Sequence, residues 1–427
     1  MIGPVIFLSF AAFLLVGTPI AICLGVSSVF GMLIDGAGRP LDTIMTMLPR
    51  IFSSATSKFV LLAVPFFILG GNVMEKAGIS ERLINFAQSC VGHLRGGLIV
   101  VMVSVACFFA AISGSGPATV AALGMILIPA MVKVGYPAAF SAALMAAAGA
   151  TGIVIPPSIT FVVYGSVADT SIGKLFLSGI VPGVMIGVSL ILVAMWTTRN
   201  MQIELLPKAT SEERWKSFKE AFWGLLMPAI ILGGIYGGIF TPTEAAAASA
   251  VYGLFVGFFI YKTLKLRDLY EIFVNSTTTT AVVMFITATA SLFAYILTRA
   301  RLDLAISDGL IEITGGNYIM FLLIANIIFL IAGCFMDATS AVLIFTPLFL
   351  PVALSLGIDP IHFGAVMVLN LSIGLVTPPV GINLFVGCGI ANVSLKDISV
   401  AVIPLIIACL IVLLLVTYIP QLPLLFV

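Results

Sequence analysis

The chain alternates long apolar runs with short polar segments, and this alternation predicts a bundle of membrane-spanning helices. Most of the runs reach the roughly 20 residues that a helix needs to cross a bilayer. The apolar runs lie at about residues 2–34, 59–75, 96–132, 138–168, 175–197, 220–240, 243–262, 277–299, 319–354, 362–391 and 398–420. The first run is too long for the apolar part of a signal peptide and follows no basic segment, so we expect it to stay as the first membrane helix.

Two of the runs carry a polar interruption, which predicts that each folds back on itself as a helical hairpin. The run 96–132 is interrupted by Ser-Gly-Ser-Gly-Pro-Ala-Thr at 113–119, and the run 319–354 by Asp-Ala-Thr-Ser at 337–340. Irregular backbone at membrane depth is tolerated only where it lines a cavity or is buried in protein. We therefore expect two re-entrant hairpins, whose short arms leave both tips near the middle of the membrane.

A helix broken in its middle is expected after each hairpin. The runs 138–168 and 362–391 contain Gly-Ile-Val-Ile-Pro-Pro at 152–157 and Gly-Leu-Val-Thr-Pro-Pro at 374–379. Adjacent prolines remove two amide donors and push the preceding residue out of the helical region, so several carbonyls lose their partners. In hydrocarbon these carbonyls need a new partner, and a desolvated cation is a suitable one.

Residues 115–182 and 337–404 are one segment written twice, at a constant separation of 222 positions. The residues that recur are Pro129 and Pro351, Pro156-Pro157 and Pro378-Pro379, Pro182 and Pro404, Gly135 and Gly357, Gly152 and Gly374, Gly165 and Gly387, and Lys174 and Lys396. Five predicted spans separate the two hairpins, so the second copy should enter the membrane from the opposite face. We predict an all-α polytopic membrane protein with inverted repeats, each with a re-entrant hairpin and a broken helix, as in secondary transporters whose site lies between repeats.

The remaining polar segments are interpreted as structure. The segment from Thr241 to Glu244 is a capping box with proline at the first helical position, which we prefer over a role for Glu244 in ion binding. The run 199–219 is expected to form a solvated loop with an amphipathic helix along the interface. Residues 41–58 and 262–275 are expected to form two further in-plane segments.

The distribution of basic residues favours one side of the membrane as the cytoplasmic side. Lysine and arginine are more numerous near 76–95, 199–219 and 262–267 than in the other loops. Arg39, Arg50 and Lys58 oppose this bias, which leaves the absolute orientation open.

Composition agrees with a membrane protein. Hydrophobic residues make up 61% of the chain and charged residues 9%, whereas soluble domains carry charge at about 25% of positions. The mean hydropathy is +1.24. A net charge of +1 gives no indication of a nucleic-acid partner, and the six scattered cysteines show neither disulfide nor metal-ligand spacing.

The chain lacks the residues that enzymatic chemistry would need. It has two histidines, His93 and His362, no HExxH motif and no Walker A motif. The turn around Ser115 resembles a serine nucleophile turn only superficially, because no histidine lies in the same or a facing span. Asp337 has no acidic companion of the kind that membrane proteases use. We therefore predict no catalytic residue, no transition metal and no cofactor.

The hairpin tips instead offer hydroxyls, amides and carbonyls. The oxygen-bearing side chains are Ser113, Ser115 and Thr119 in the first tip and Asp337, Thr339 and Ser340 in the second. Such oxygens suit a hard cation such as Na⁺, and helix N-termini at the tips suit a carboxylate substrate. Two alternatives stay open: the small residues allow close helix packing, and Asp337 caps a helix.

Four motifs in order resemble the large membrane subunit of tripartite ATP-independent periplasmic (TRAP) transporters, over essentially the whole chain. They are Ile112-Ser-Gly-Ser-Gly-Pro-Ala-Thr-Val-Ala-Ala-Leu-Gly124, Ile155-Pro-Pro-Ser-Ile159, Phe240-Thr-Pro-Thr-Glu244 and Gly374-Leu-Val-Thr-Pro-Pro-Val-Gly381. The resemblance implies a multi-pass carrier of the bacterial inner membrane that takes up organic acids such as C4-dicarboxylates, sialic acid or sugar acids. It further implies an elevator mechanism driven by a Na⁺ gradient.

The resemblance also implies the site. The first sodium ion would contact Ser113 and Ser115 with carbonyls near Gly152, Ile155 and Pro157; the second would contact Asp337 with carbonyls near Gly374, Thr377 and Pro379. The residues expected to contact the organic anion are Gly116, Thr119, Ser158, Thr339, Ser340, Asn370 and Asn383. No arginine lies at a tip, and Arg299 and Arg301 are the nearest cationic candidates.

The expected partners are a separate small four-helix membrane subunit, a periplasmic substrate-binding protein and the lipid bilayer. We expect scaffold helices and an in-plane arm in 1–75, a first transport repeat in 76–175, further scaffold with a second arm in 176–298, a second repeat in 299–397, and a C-terminal helix in 398–427. A stand-alone Na⁺/carboxylate symporter without a binding protein is the alternative, and a structural subunit of a membrane complex is a remote one.

Overall fold

The computed structural model describes residues 2–35 and 41–427, with the side chains of 41–45 left aside, and its secondary structure within these ranges is helical. Nine of the described helices are long and apolar enough to cross a membrane. The helices in chain order are α1 (Ile2–Leu15), α2 (Ile20–Asp35), α3 (Leu41–Thr56), α4 (Ala63–Lys76), α5 (Ile79–Val91), α6 (Gly97–Ser113), α7 (Gly116–Lys133), α8 (Ala138–Ala150), α9 (Ile159–Ala168), α10 (Ile172–Thr197), α11 (Ser211–Tyr236), α12 (Pro242–Phe255), α13 (Leu266–Arg299), α14 (Leu302–Thr314), α15 (Tyr318–Phe335), α16 (Ala338–Ser355), α17 (Pro360–Gly374), α18 (Ile382–Ala391), α19 (Leu395–Tyr418) and α20 (Gln421–Leu424).

The first apolar run forms two helices, so the prediction of a single first membrane helix is wrong. Helix α1 ends at Leu15, and α2 starts at Ile20 and packs against it. Gly17 has a positive φ of 83°, a conformation that glycine adopts at little cost. Pro19 follows at the start of the second helix, where its missing amide donor does no harm.

Both predicted hairpins are present. Helices α6 and α7 are joined at Gly114-Ser115, and α15 and α16 at Met336-Asp337. Their arms contain 17 or 18 residues each, a length of about 26 Å that approaches the roughly 30 Å of the hydrocarbon core. Arm length therefore does not by itself set the depth of the tips, and their mid-membrane position stays a prediction.

Both predicted helix breaks are present and share one geometry. Helix α8 runs through a 3-10 turn at Thr151–Ile153 and stops before α9, and α17 stops at Gly374 before α18. The Pro156-Pro157 and Pro378-Pro379 peptide bonds are both cis.

The two repeats pack on each other reciprocally. Helix α9 of the first repeat lies against α16 of the second, and α18 lies against α7; likewise α8 packs on α19 and α17 on α10. Each of these contacts becomes its counterpart when the two repeats are interchanged, which indicates a pseudo-two-fold axis. The helix bounds of α5–α7 and α14–α16 also recur 222 positions apart to within one residue, so the repeat extends upstream of residue 115.

Two predicted in-plane segments are continuous with the spans that follow them. Helix α11 begins at Ser211, and α13 runs unbroken over 34 residues from Leu266. The helical parts of 199–219 and 262–275 therefore form no separate elements, because no glycine or proline interrupts either helix at its start. Their orientation along the membrane surface stays a prediction. Helix α14 was not predicted. The segment 41–58 forms α3 over Leu41–Thr56, and its in-plane orientation stays a prediction; residues 36–40 before it lie outside the described ranges.

One end of the bundle gathers the segments 76–95, 199–219 and 262–267, which hold eleven of the chain's 19 Lys and Arg residues. Three hydrogen bonds join the segments: Arg95 to the Arg199 carbonyl (2.5 Å), Arg214 to the Ser89 carbonyl (3.0 Å) and Thr263 to the Ala77 carbonyl (3.0 Å). A fourth, from Tyr261 to the Glu220 carbonyl (2.7 Å), joins the residues next to two of them. The basic segments identified in the sequence therefore share one face.

Candidate functional site

Both hairpin tips meet at one cavity of about 230 Å³. The first tip contributes residues 113–118 and the second 337–339, while Ile153, Ile159 and Leu375 come from the two helix breaks. Helices α4 and α13 form the facing wall. The prediction that both tips and both breaks converge is confirmed.

The first tip is closed by its own hydroxyl groups. The Ser113 Oγ lies 2.9 Å from the Thr119 Oγ1, and the Thr119 hydroxyl donates to the Ser115 carbonyl at 2.8 Å. Ser115 stands at the N-cap of α7, but its hydroxyl makes no capping bond. Since Ser113 and Ser115 both line the cavity, the Ser115 hydroxyl is available to a ligand.

The first helix break lies directly against this tip. Gly114 makes the turn at a φ of 60°, and a Cβ on it would lie 3.3 Å from the Pro157 carbonyl oxygen. A Cβ on Gly152 would lie 2.9 Å from the Ser115 carbonyl oxygen. The backbone oxygens of tip and break are thereby brought together, as a site built from carbonyls requires.

The second tip is organised by Asp337. Its carboxylate accepts hydrogen bonds from the Ser340 amide at 2.9 Å and from the Ser340 hydroxyl, and so caps α16. The same residue lines the cavity, next to Thr339. A carboxylate has about four acceptor positions, so the capping role that the sequence left open is realised and still leaves acceptor capacity for a cation.

The second break presents backbone more than side chains. Gly374 packs against Gly333 of α15. The Thr377 hydroxyl donates to the Ile373 carbonyl at 2.7 Å, within its own turn. None of the six residues predicted to supply carbonyl ligands lines the cavity as the structure describes it; these residues are Gly152, Ile155, Pro157, Gly374, Thr377 and Pro379.

Three of the predicted substrate-binding hydroxyls are used inside the protein. Thr119, Ser158 and Ser340 are each fully buried, and none lines the cavity. The Ser158 hydroxyl donates to the Ile153 carbonyl at 2.6 Å and accepts from the Phe161 amide at the start of α9. These hydroxyls shape the tips and the first break, while Gly116 and Thr339 lie on the wall as predicted.

The two predicted amide side chains also lie away from the cavity wall. Asn370 donates to the Asn326 carbonyl and side-chain oxygen at 2.9 and 2.8 Å, and Asn326 donates to Thr417 at 3.0 Å. Asn383 donates to the Ala146 carbonyl at 3.0 Å and thereby ties α18 to α8. The Asn370 amide thus fixes the packing of helices within the second repeat, whereas the Asn383 amide fixes one repeat against the other.

Four polar residues on the wall were missed at the level of sequence. Asn72 and Glu75 come from α4, Thr160 from α9 and Thr279 from α13. Asn72 and Glu75 are three residues apart on one helical face near the end of an apolar run, and polar residues in a span are usually functional. That signal was available in the sequence.

The described part of the cavity wall carries two charged side chains, Glu75 and Asp337, and no lysine or arginine. Helices α7 and α16 begin at the tips and direct partial positive charge there. Arg299 is bonded to Asp35 and to the Tyr295 hydroxyl, and Arg301 occupies the N-cap position of α14 without a capping hydrogen bond. Neither arginine lines the cavity, so the candidate charge clamps are excluded from its wall.

The sequence and fold are similar to those of known transporters. A family model described as "Tripartite ATP-independent periplasmic transporter, DctM component" matches residues 7–422. The isethionate TRAP transporter permease protein DctMQ of Oleidesulfovibrio alaskensis is 45% identical over 99% of this chain and 66% of that protein. The C4-dicarboxylate TRAP transporter large permease protein DctM of Pseudomonas aeruginosa is 46% identical over 89% of this chain and 88% of its own length.

The crystal structure of the Alcanivorax borkumensis YdaH transporter superposes with a TM-score of 0.68 over 97% of this chain and 98% of that one. Its sequence is 16% identical to this chain, so this likeness concerns the fold alone.

Proposed function

Since the chain belongs to the family of DctM components of tripartite ATP-independent periplasmic transporters, and is thus a multi-pass permease of the bacterial inner membrane and no enzyme, we propose that it imports an organic acid anion together with Na⁺. A periplasmic binding protein delivers the anion, and a small four-helix membrane subunit completes the permease. The substrate class follows the relatives' names, which specify isethionate and C4-dicarboxylates.

One observation carries the coupling to a cation. The anion would bind in a cavity whose charged side chains are Glu75 and Asp337 and whose described wall holds no basic residue. An organic acid entering such a cavity is repelled unless cations offset the carboxylates, because charges in a partly desolvated site interact strongly. Sodium ions supply that charge, and the tips supply the oxygens that a hard cation prefers.

Two sodium sites are proposed at the tips. The first uses the hydroxyls of Ser113 and Ser115 with the carbonyls of Gly152, Ile155 and Pro157. It is supported by the contact of Gly152 and Gly114 with the facing backbone oxygens.

The second sodium site uses Asp337 with the carbonyls of Gly374, Thr377 and Pro379. The position of the Asp337 carboxylate at the cavity wall supports it. Bound sodium orders both tips and offsets the charge of the anion, which lies between Gly116 and Thr339.

The moving unit is proposed to comprise α6–α10 and α15–α19. Helix α10 packs on α6, α17 and α19, whereas α4 packs on α12, and α13 on α2, α3 and α4. Compared with the division expected from the sequence, this moves α10 and α19 into the transport unit and α5 and α14 out of it. The unit slides against the remaining helices, which the small subunit holds in the bilayer.

The face that holds the segments 76–95, 199–219 and 262–267 is proposed to be cytoplasmic. Its eleven Lys and Arg residues support this orientation, because basic residues are retained on the cytoplasmic side. Asn72 and Glu75 line both the central cavity and a second, polar cavity near this face. The present conformation would then release its substrate inward.

Uptake by proteoliposomes tests the proposal. The chain is reconstituted with its small subunit, and uptake of labelled isethionate and succinate is measured with and without an inward Na⁺ gradient and a matching binding protein. We expect uptake that needs both. Uptake that needs Na⁺ alone would establish the stand-alone carrier instead, and absence of uptake from a correctly assembled complex would favour a structural subunit.

A further inference from the structure

Glu75 stands at the junction of two cavities. It lines the central cavity between the hairpin tips, and it also lines a second cavity of about 370 Å³, here called the vestibule. Asn72 is the other residue common to both, and its side chain is held by the Ser276 hydroxyl at 2.8 Å. The Glu75 side chain is partly desolvated, and it has no hydrogen bond or ion pair with the part of the chain that the structure describes. A free carboxylate therefore borders the path between the two cavities.

The vestibule is acidic although the face around it is basic. Its charged residues are Glu75, Lys76, Glu81 and Glu271. Lys76 is paired with Glu271 at 2.8 Å and also interacts with the charge of Glu75, so the three carboxylates among the described lining residues share one cation. A path for an anion would more simply be lined by lysine and arginine, of which this face has many. The passage of an anion therefore does not by itself explain the acidic lining of the vestibule.

Glu75 also faces the substrate from the opposite side to Asp337. Asp337 belongs to a hairpin tip, where a proposed sodium ion balances its charge, whereas Glu75 belongs to α4 of the scaffold. If the hairpins move relative to α4, the anion stays beside Asp337 in both states. It meets Glu75 only in the state in which the cavity faces the vestibule. The repulsion between Glu75 and the anion is therefore specific to that state.

We propose that Glu75 is a release-promoting residue: its carboxylate lowers the affinity of the inward-facing cavity for the anion and drives the anion into the vestibule. This inference rests on the proposed function. Glu75 and Glu81 then discourage the anion from returning, and they attract the Na⁺ that leaves with it. The effect is electrostatic, so it requires the charge of residue 75 and not merely its size.

Inhibition of uptake by substrate inside the vesicle tests this role. Binding protein is added outside only, so that the signal comes from carriers whose periplasmic face is outward. Uptake of the acid that the wild type transports is measured at increasing internal concentrations of the same acid. The variants are Glu75→Gln, which removes the charge at constant size, Glu75→Asp, which keeps the charge, and the control Glu312→Gln, an exposed residue of α14.

In Glu75→Gln we expect internal acid to inhibit at concentrations about 5-fold lower or more, since a single unit charge is removed from a partly desolvated path. The kcat should fall, while the KM for the loaded binding protein stays unchanged. Glu75→Asp and Glu312→Gln should behave as the wild type does. Equal inhibition curves for Glu75→Gln and wild type would overturn the proposal.

Two controls distinguish the role of Glu75 from a failure of assembly and from a failure of the proposed function. Complex formation with the small subunit is checked for each variant, and Glu75→Ala replaces Glu75→Gln if the latter fails to assemble. A wild type that takes up no acid would contradict the proposed function, whereas normal wild-type uptake with unaltered inhibition in the Glu75 variants would contradict only the role of Glu75.

Discussion

Gly374, at the end of α17, lies so close to Gly333 of α15 that a Cβ on Gly374 would come within 2.5 Å of the Gly333 Cα. The two backbones touch where the second helix break begins. Gly374 has its repeat mate in Gly152, whose Cβ would meet the Ser115 carbonyl oxygen at 2.9 Å. In both repeats, a glycine therefore lets the break approach its hairpin.

Substitution of Gly374 by alanine is expected to displace the second break from α15. Overpacking of this kind costs about 1–3 kcal/mol, and the thermal unfolding temperature of the purified complex should fall. Gly389 is the matched control, because no atom lies within 4 Å of a Cβ at that position and alanine is the better helix former. Equal unfolding temperatures for Gly374→Ala and Gly389→Ala would contradict this close approach.

The sodium sites are tested by Ser115→Ala and by two substitutions of Asp337. Ser115→Ala and Asp337→Ala should reduce Na⁺-dependent uptake by at least about 10-fold, a loss of about 1.4 kcal/mol, while the complex still assembles. Asp337→Asn separates the two roles of this residue, since asparagine is a good N-cap but carries no charge. We expect it to assemble like the wild type and to lose sodium dependence.

The matched control for the Ser115 hydroxyl is Ser189→Ala. Ser189 donates to the Ile186 carbonyl within α10 at 2.8 Å and does not line the central cavity. Uptake by Ser189→Ala should depend on sodium as uptake by the wild type does. Unchanged sodium dependence in both Ser115→Ala and the Asp337 variants would reject the proposed sites.

Glu244 is expected to act on stability alone. Its carboxylate accepts hydrogen bonds from the Thr241 amide at 2.8 Å and hydroxyl at 2.9 Å, and the Thr241 hydroxyl accepts from the Glu244 amide, which confirms the capping box. Glu244→Ala should lower the free energy of unfolding by about 1 kcal/mol, as measured by chemical denaturation in detergent. A shifted sodium dependence of uptake in this variant would assign Glu244 an ion-binding role after all.

Cross-linking tests the proposed movement. The Lys58 ammonium donates to the Ser166 carbonyl at 2.5 Å, so the segment before α4 contacts the end of α9. A bifunctional thiol reagent that joins cysteines at positions 58 and 166 should stop uptake, because the contact crosses the boundary between scaffold and moving unit. The cross-link yield on gels and the residual uptake are measured on the same samples.

The control pair lies within the moving unit. Arg95 precedes α6 and donates to the Arg199 carbonyl just after α10, so cysteines at these positions should be joined without loss of uptake. Full uptake with the 58–166 pair cross-linked would rule out a boundary between Lys58 and α9.

Some errors in the sequence-based interpretation had a local signal that was read too coarsely. Gly17 and Pro19 mark the end of α1, and Thr210 with Glu213 forms a capping box at the start of α11. Helix α13 contains neither glycine nor proline over its 34 residues, which favours one continuous helix. In these cases backbone chemistry along the chain was sufficient.

Other residues could not be placed without the fold. Asn370 and Asn383 looked like substrate ligands, but each donates its amide hydrogens to a neighbouring helix. Ser158 was likewise expected to contact the anion, but it is fully buried and does not line the cavity. Whether a polar side chain faces a cavity or a neighbouring helix depends on which helices pack beside it, and that information is not local.

The sequence by itself determined the hairpin tips, the helix breaks and the repeat, because proline and glycine act on the backbone within a few residues wherever the chain goes. The tertiary structure alone decided that α9 packs on α16 and α18 on α7, which brings both tips to one cavity. It also decided that Glu75, 262 positions from Asp337 in the chain, borders the same space. Contacts between such distant residues depend on the packing of whole helices, which no short stretch of sequence specifies.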